Sequence, residues 1–193
     1  QREKLQNTNR VAVPGCHATG YIALVRPLIE KGILPEDYPL SCHSLTGYSG
    51  GGKRMIAEYT DEKRATKYDA PRVYGLSLKH KHLPEMQVIT GASQPPIFTP
   101  VVADYYSGML VSVPVPIIAL QAVKNGEDVA KLLADYYQDS KLISVHNYAE
   151  MPEDNMLASN QLSGKDTLEI FVYGNETQLL LVAHFDNLGK GAS

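Results

Sequence analysis

This sequence predicts an α+β domain, on three observations. Apolar, β-branched runs recur over residues 97–102, 109–115, 142–148, 167–173 and 179–185, which marks them as strands. One segment, 126–137, repeats its apolar residues at helical spacing. The helical segments mingle with a strand run broken by turn residues such as Gly174-Asn175, so the sheet is expected to be mixed and mostly antiparallel. With 193 residues, 44% hydrophobic and 20% charged, the chain suits one domain, or at most two small ones, with a sizeable core.

Taken in order, a short strand is expected at 10–13, before Pro14-Gly15. A helix follows Cys16, with Ile22, Leu24, Val25, Leu28 and Ile29 at helical spacing and Gly32 at its C-terminal end. Pro27 predicts a kink or an early stop. A strand over 40–45 runs into the glycine-rich turn Thr46-Gly-Tyr-Ser-Gly-Gly-Gly-Lys-Arg54, then a short helix over 55–59. Polar residues 60–70 read as an exposed loop, and 73–78 as a further apolar segment. Lys79-His-Lys-His-Leu-Pro-Glu85 then opens a helix with Pro84 in its first turn. Strands 97–102 and 109–115 precede the clearest amphipathic helix, 126–137, where Val129, Leu132, Leu133 and Tyr136 share a face. The connection after Gly174-Asn175 is longer than a two-residue hairpin.

Composition excludes several function classes. The formal charge of −3 comes from 18 basic and 21 acidic residues spread along the chain, so the clustered basic face of a nucleic-acid binder is missing. The longest apolar run, near 113–123, is broken by Pro114 and Pro116 and is too short to cross a bilayer, so no membrane partner is expected. Two cysteines are too few for a disulfide scaffold, and no charged-then-apolar leader opens the sequence, so a cytoplasmic setting is expected. Residues 1–9 carry no start signal and 187–193 read as a loop about to enter something else, so a piece of a longer protein is expected.

The strongest chemical signal is Cys16, placed where a strand stops and a helix starts. Unpaired N–H groups and the helix dipole favour a thiolate there, and the same N–H groups suit an acyl oxyanion. The alternative is a small side chain packed behind the helix. Cys42, inside a strand, reads as structural. A thiolate nucleophile needs a proton-handling partner, usually histidine. His43, His146 and His184 lie in or beside strands and read as packing or surface positions. His17 follows Cys16 directly, and consecutive helical residues do not face each other. His80 and His82 point the same way if their basic patch is extended, which leaves either as partner with Lys79 or Lys81 on an anion. A solvated basic loop is the competing reading. A zinc site lacks third and fourth ligands at recognisable spacing. The glycine-rich turn fails the P-loop spacing, yet its Ser, free N–H groups and Lys53-Arg54 suit a phosphate or carboxylate. The sequon Asn175-Glu176-Thr177 is discounted without a secretion signal.

Five blocks stand in order: Val13-Pro-Gly-Cys-His-Ala-Thr-Gly20, Thr46-Gly-Tyr-Ser-Gly-Gly-Gly-Lys53, His80-Lys-His-Leu-Pro-Glu85, Phe98-Thr-Pro100 and Phe185-Asp-Asn-Leu-Gly-Lys-Gly-Ala-Ser193. This pattern resembles N-acetyl-gamma-glutamyl-phosphate reductase in its shorter, type 2 form, over nearly the whole chain. The resemblance implies a sheet with helices on one face, similar to the C-terminal domain of glyceraldehyde-3-phosphate dehydrogenase-like enzymes. Residues 1–193 would then be a single catalytic and dimerisation domain. The Rossmann fingerprint G-x-G-x-x-G is absent, so NADPH would be held mainly by a domain outside this sequence.

The same resemblance implies that Cys16 attacks the acyl phosphate of N-acetyl-glutamyl phosphate and that the thioester is reduced to the semialdehyde. His82, adjoining the helix start, or His80 would move protons. Ser49, Gly50, Lys53, Lys79 and Lys81 would line the substrate site, and Asn187, Gly189 and Lys190 would approach the cofactor. A homodimer or homotetramer is implied, and the isolated piece is expected to be inactive. A lysine-pathway relative, acting on a carrier-bound acyl phosphate, stays open. So do a cysteine hydrolase or acyltransferase without redox chemistry and a non-catalytic, anion-binding dimerising module.

Overall fold

The structure, a computed structural model, describes residues 5–191; residues 1–4 and the closing Ala192-Ser193 of the terminal block lie outside them. Seven strands form one mixed sheet: β1 (Ser41–Gly47), β2 (Arg72–Val73), β3 (Ile97–Ala103), β4 (Met109–Pro116), β5 (Ile143–Val145), β6 (Leu168–Gly174) and β7 (Gln178–Phe185). Their order is β2-β3-β1-β4-β7-β6-β5. The β1–β3 and β5–β6 pairs are parallel and the other four antiparallel, so the mixed, mostly antiparallel α+β expectation holds.

The helices α1 (Cys16–Glu30), α2 (Gly52–Thr60), α3 (Leu83–Thr90) and α4 (Gly126–Tyr137) accompany the sheet. Alternation along the strands sends Val111, Val113, Ile170, Val172, Leu181 and Ala183 to one face, where they join Leu24 and Leu28 of α1, Met86 of α3 and Leu133 of α4 in a single core. Full burial of each of these Val, Leu, Ile and Met side chains contributes about 1.5–3 kcal/mol. Gly20 lets α1 lie close on the sheet, because a β-carbon there would fall 2.6 Å from Val111 and 2.7 Å from Phe185.

Two expectations need correction. Residues 10–13 form no strand, since no neighbouring strand pairs with them. Pro27 does not stop α1, which continues to Glu30. Proline removes the N–H that would bond the Ala23 carbonyl, and the Tyr137 hydroxyl of α4 donates to that carbonyl instead, at 2.9 Å. Gly32 (φ 68°) then ends the helix, with the Ile33 N–H bonded back to the Leu28 carbonyl. Helix α4 spans the expected residues, capped by Asn125, whose side chain accepts from the Asp128 N–H. No helix among the described residues is long and apolar enough to cross a membrane.

Candidate active site

Cys16 is the first residue of α1, and Gly15 before it is extended (φ −71°, ψ 150°) with no side-chain cap. The backbone N–H groups of Cys16 and His17 therefore point at the thiol and favour its ionised form. Burial opposes them and is the larger effect, so the thiol pKa lies above its ordinary value rather than below it. Lys81 pulls it down and Glu85 pushes it up. The helix terminus alone thus does not make the depressed thiol that the sequence suggested.

Helix α3 closes over this corner. The segment before it is a turn rather than an extended strand, entered through Leu78 in the left-handed region (φ 56°). His82 sits at the N-cap of α3, and its N–H donates to His80 Nδ1 at 3.2 Å. The two rings converge all the same, with centroids 4.7 Å apart. His82 packs on Gly15 so closely that a β-carbon there would fall 2.1 Å from Nε2. Three residues on, the Glu85 carboxylate accepts from the Gly15 N–H at 3.2 Å. One turn of α3 therefore grips the residue before the thiol at two points. Burial, then His80 and Lys81, lower the His82 pKa to about 4, and burial with Lys81 also lowers that of His80. Both rings are uncharged near neutrality and suited to accept a proton.

His17, set aside in the sequence, belongs to the same cluster. Its Nδ1 lies 2.6 Å from Ser44 Oγ of β1 and its Nε2 lies 2.5 Å from the Tyr74 hydroxyl. Its ring centroid is 5.5 Å from those of both His80 and His82. Burial, then His82, His80 and Lys81, depress its pKa to about 3. No local spacing links residues 17, 44 and 74; the fold alone brings them together.

Cys16, Gly50, Tyr74, His80, Lys81 and His82 line one cavity of about 370 Å³. The other expected residues lie elsewhere. Ser49 is buried and accepts from Asn187 Nδ2 at 3.0 Å, while Asn187 Oδ1 accepts from the Gly108 N–H at 2.8 Å. Lys53 and Lys79 are exposed and off the cavity lining. Gly189 packs on the Lys165 backbone, and Lys190 lines a separate groove with Thr19, Ile22 and Tyr137. Among the described residues no group of three His, Cys, Asp or Glu side chains is arranged to hold a metal ion.

A mixed sheet with α1, α3 and α4 packed on one face matches, in fold, solved aspartate-semialdehyde dehydrogenases. Aspartate semialdehyde dehydrogenase II from Vibrio cholerae matches with a TM-score of 0.68 at 18% identity, over 98% of this chain and 61% of that one. A probable aspartate-semialdehyde dehydrogenase from Pseudomonas aeruginosa matches with a TM-score of 0.64 at 16% identity, over 98% and 62%. The family model described as semialdehyde dehydrogenase, dimerisation domain, covers residues 16–187, and the chain belongs to that family. Along its whole length it is 40% identical to N-acetyl-gamma-glutamyl-phosphate reductase 2 of Nostoc sp. and 42% identical to the N-acetyl-gamma-glutamyl-phosphate reductase of Brucella anthropi. It spans 63% of the length of each.

Proposed function

We propose that this chain is the thiol-bearing part of an NADP-dependent N-acetyl-gamma-glutamyl-phosphate reductase of arginine biosynthesis. The observation that supports this reading best is the convergence of Cys16, His82 and Lys81 on one cavity in a chain so similar to such reductases. The glycine-rich turn between β1 and α2 lacks the G-x-G-x-x-G spacing of a pyrophosphate site. Toward a nicotinamide they offer the Gly50–Gly51 edge of the same cavity. NADPH, held mainly by a separate domain, supplies a hydride at the acyl carbon.

Within the chain, Cys16 as thiolate attacks the acyl carbon and the phosphate leaves, which puts a thioester on Sγ. The Cys16 and His17 N–H groups donate to the acyl oxygen as it gains negative charge. Lys81 offsets the charge of the departing phosphate. His82, uncharged and seated on Gly15, accepts the thiol proton. Once the thioester is reduced, collapse of the hemithioacetal frees the semialdehyde and restores the Cys16 thiolate. The sheet face opposite the helices, where Leu110, Ser112, Leu180 and Val182 border a second cavity, carries self-association in a homodimer or higher homo-oligomer.

The test is intact-mass spectrometry of the chain mixed with N-acetyl-glutamyl phosphate, with phosphate release followed alongside. The reading expects one acyl group on Cys16 and a single burst of phosphate. Turnover begins only when a nucleotide-binding domain and NADPH are added. Continuous phosphate release without NADPH would instead mark a cysteine hydrolase. No adduct at all would overturn both.

A further inference from the structure

We propose that His17 is a positioning residue: an imidazole that ties the head of α1 to Ser44 of β1 and to Tyr74 of the segment before α3, and so seats His80 and His82 over Cys16. This rests on the reading of Cys16 as the nucleophile. The two nitrogens of His17 are spent on different elements, with Ser44 Oγ at 2.6 Å and the Tyr74 hydroxyl at 2.5 Å. A neutral imidazole has one N–H and one lone pair, and two hydroxyls that each donate or accept complement it in either tautomer. Its ring meets His80, His82 and the Phe98 ring at centroid distances of 5.2–5.5 Å.

A residue needed only to fill this space would be apolar, because burying an imidazole is costly unless both nitrogens are bonded. The bonds hold a relationship that packing leaves loose. Cys16 is the preceding residue in the chain, and His80 follows Tyr74 by six. A shift of the histidine turn away from Cys16 therefore has to break the Tyr74 bond, and a roll of α1 has to break the Ser44 bond. His17 has both ring nitrogens already bonded and is held neutral by burial, so it moves no proton in the reaction. The groups facing it are Cys16, Tyr74, His80, Lys81 and His82.

The test compares the 193-residue chain with His17→Phe, Ser44→Ala and Tyr74→Phe by NMR titration of the His80 and His82 rings. The plateau rate of Cys16 alkylation by iodoacetamide and the thermal midpoint are recorded alongside. Each variant is expected to raise at least one histidine midpoint by about one pH unit toward the ordinary 6.5 as water reaches the loosened rings. The plateau alkylation rate is expected to change by about tenfold, within the cost of misplacing a reacting group. If His17→Phe fails to fold, the two hydroxyl deletions decide. Lower thermal midpoints with unchanged histidine titrations and alkylation would show a core residue and overturn the proposal. None of these readouts needs substrate, so failure of the reductase reading shows separately, as a missing acyl adduct on the wild-type chain.

Discussion

The His82 ring fills the space that a side chain at Gly15 would need: a β-carbon there falls 2.1 Å from Nε2 and 2.5 Å from Cδ2. The Gly15 backbone is open to any residue, so glycine is required for room and not for conformation. Gly15→Ala should keep the fold and push His82 off the thiol. The enzyme reconstituted with a nucleotide-binding domain should lose about a hundredfold in kcat, the cost of a ~1 Å misplacement. Wild-type kcat in this variant would mean that contact with Gly15 does not matter to the chemistry.

The thiol carries a second expectation, in its pH profile. Burial raises the Cys16 pKa, Glu85 raises it further and Lys81 lowers it. Glu85→Gln removes a negative charge while keeping an oxygen for the Gly15 N–H, so the alkylation midpoint should fall. Lys81→Met should move it up. Each shift should reach up to about one unit, and less at high salt because Lys81 is exposed. Cys42, buried in β1 with its thiol pushed up by burial, should stay unmodified until the chain is unfolded. Identical profiles for all three proteins would remove these charges from the account.

Much of the fold was legible because its signals are local. Val129, Leu132, Leu133 and Tyr136 mark α4 at helical spacing, and alternation through 109–115 and 179–185 marks the central strands. The strand expected at 10–13 failed because a strand exists only with a partner, which no local pattern reports. The early stop offered as one outcome at Pro27 failed for the same reason: the carbonyl it orphans is satisfied by Tyr137, more than a hundred residues away. Cys16 and the histidine pair could be proposed from motif and chemistry, whereas the choice of Lys81 over Lys79 on the cavity could not. His17 could not, because its role lies in contacts with Ser44 and Tyr74, and adjacency to Cys16 argued against it. Asn187 was offered as a cofactor contact by the family resemblance alone, and its burial between Ser49 and Gly108 is a tertiary fact that no local pattern reports.

Acid should weaken this protein early. His17 and His82 stay neutral in the fold down to pKa values of about 3 and 4, whereas in the unfolded chain both titrate near 6.5. Below pH 6.5 the unfolded chain takes up protons that the folded chain refuses, so their effect on stability is absent above that pH and grows unfavourable as pH falls toward 4 and then 3. The slope approaches ~1.4 kcal/mol per pH unit for each histidine. Urea midpoints at pH 7, 6 and 5 should record this fall, and His17→Phe should flatten it by one histidine's share. A wild-type midpoint that holds constant from pH 7 to 5 would contradict the neutral, buried cluster.

Asn187 separates a structural bolt from a cofactor contact. It is fully buried, its Nδ2 donates to Ser49 Oγ at 3.0 Å, and its Oδ1 accepts from the Gly108 N–H at 2.8 Å. Gly50, on the cavity edge, lies against the same amide, since a β-carbon there would sit 3.2 Å from Nδ2. Asn187→Ala strands the Gly108 N–H and the Ser49 hydroxyl, which costs about 1–3 kcal/mol. Asn187→Asp keeps both contacts by letting Ser49 donate, but it buries a charge and should cost at least as much. Lys190→Ala, away from this knot, should stay within about 0.5 kcal/mol of wild type. Urea unfolding of the three variants, with KM for NADPH in the reconstituted enzyme, distinguishes the two roles. A bolt gives lost stability and a lower kcat as the Gly50 edge loosens, whereas a direct cofactor contact gives a raised KM at unchanged stability.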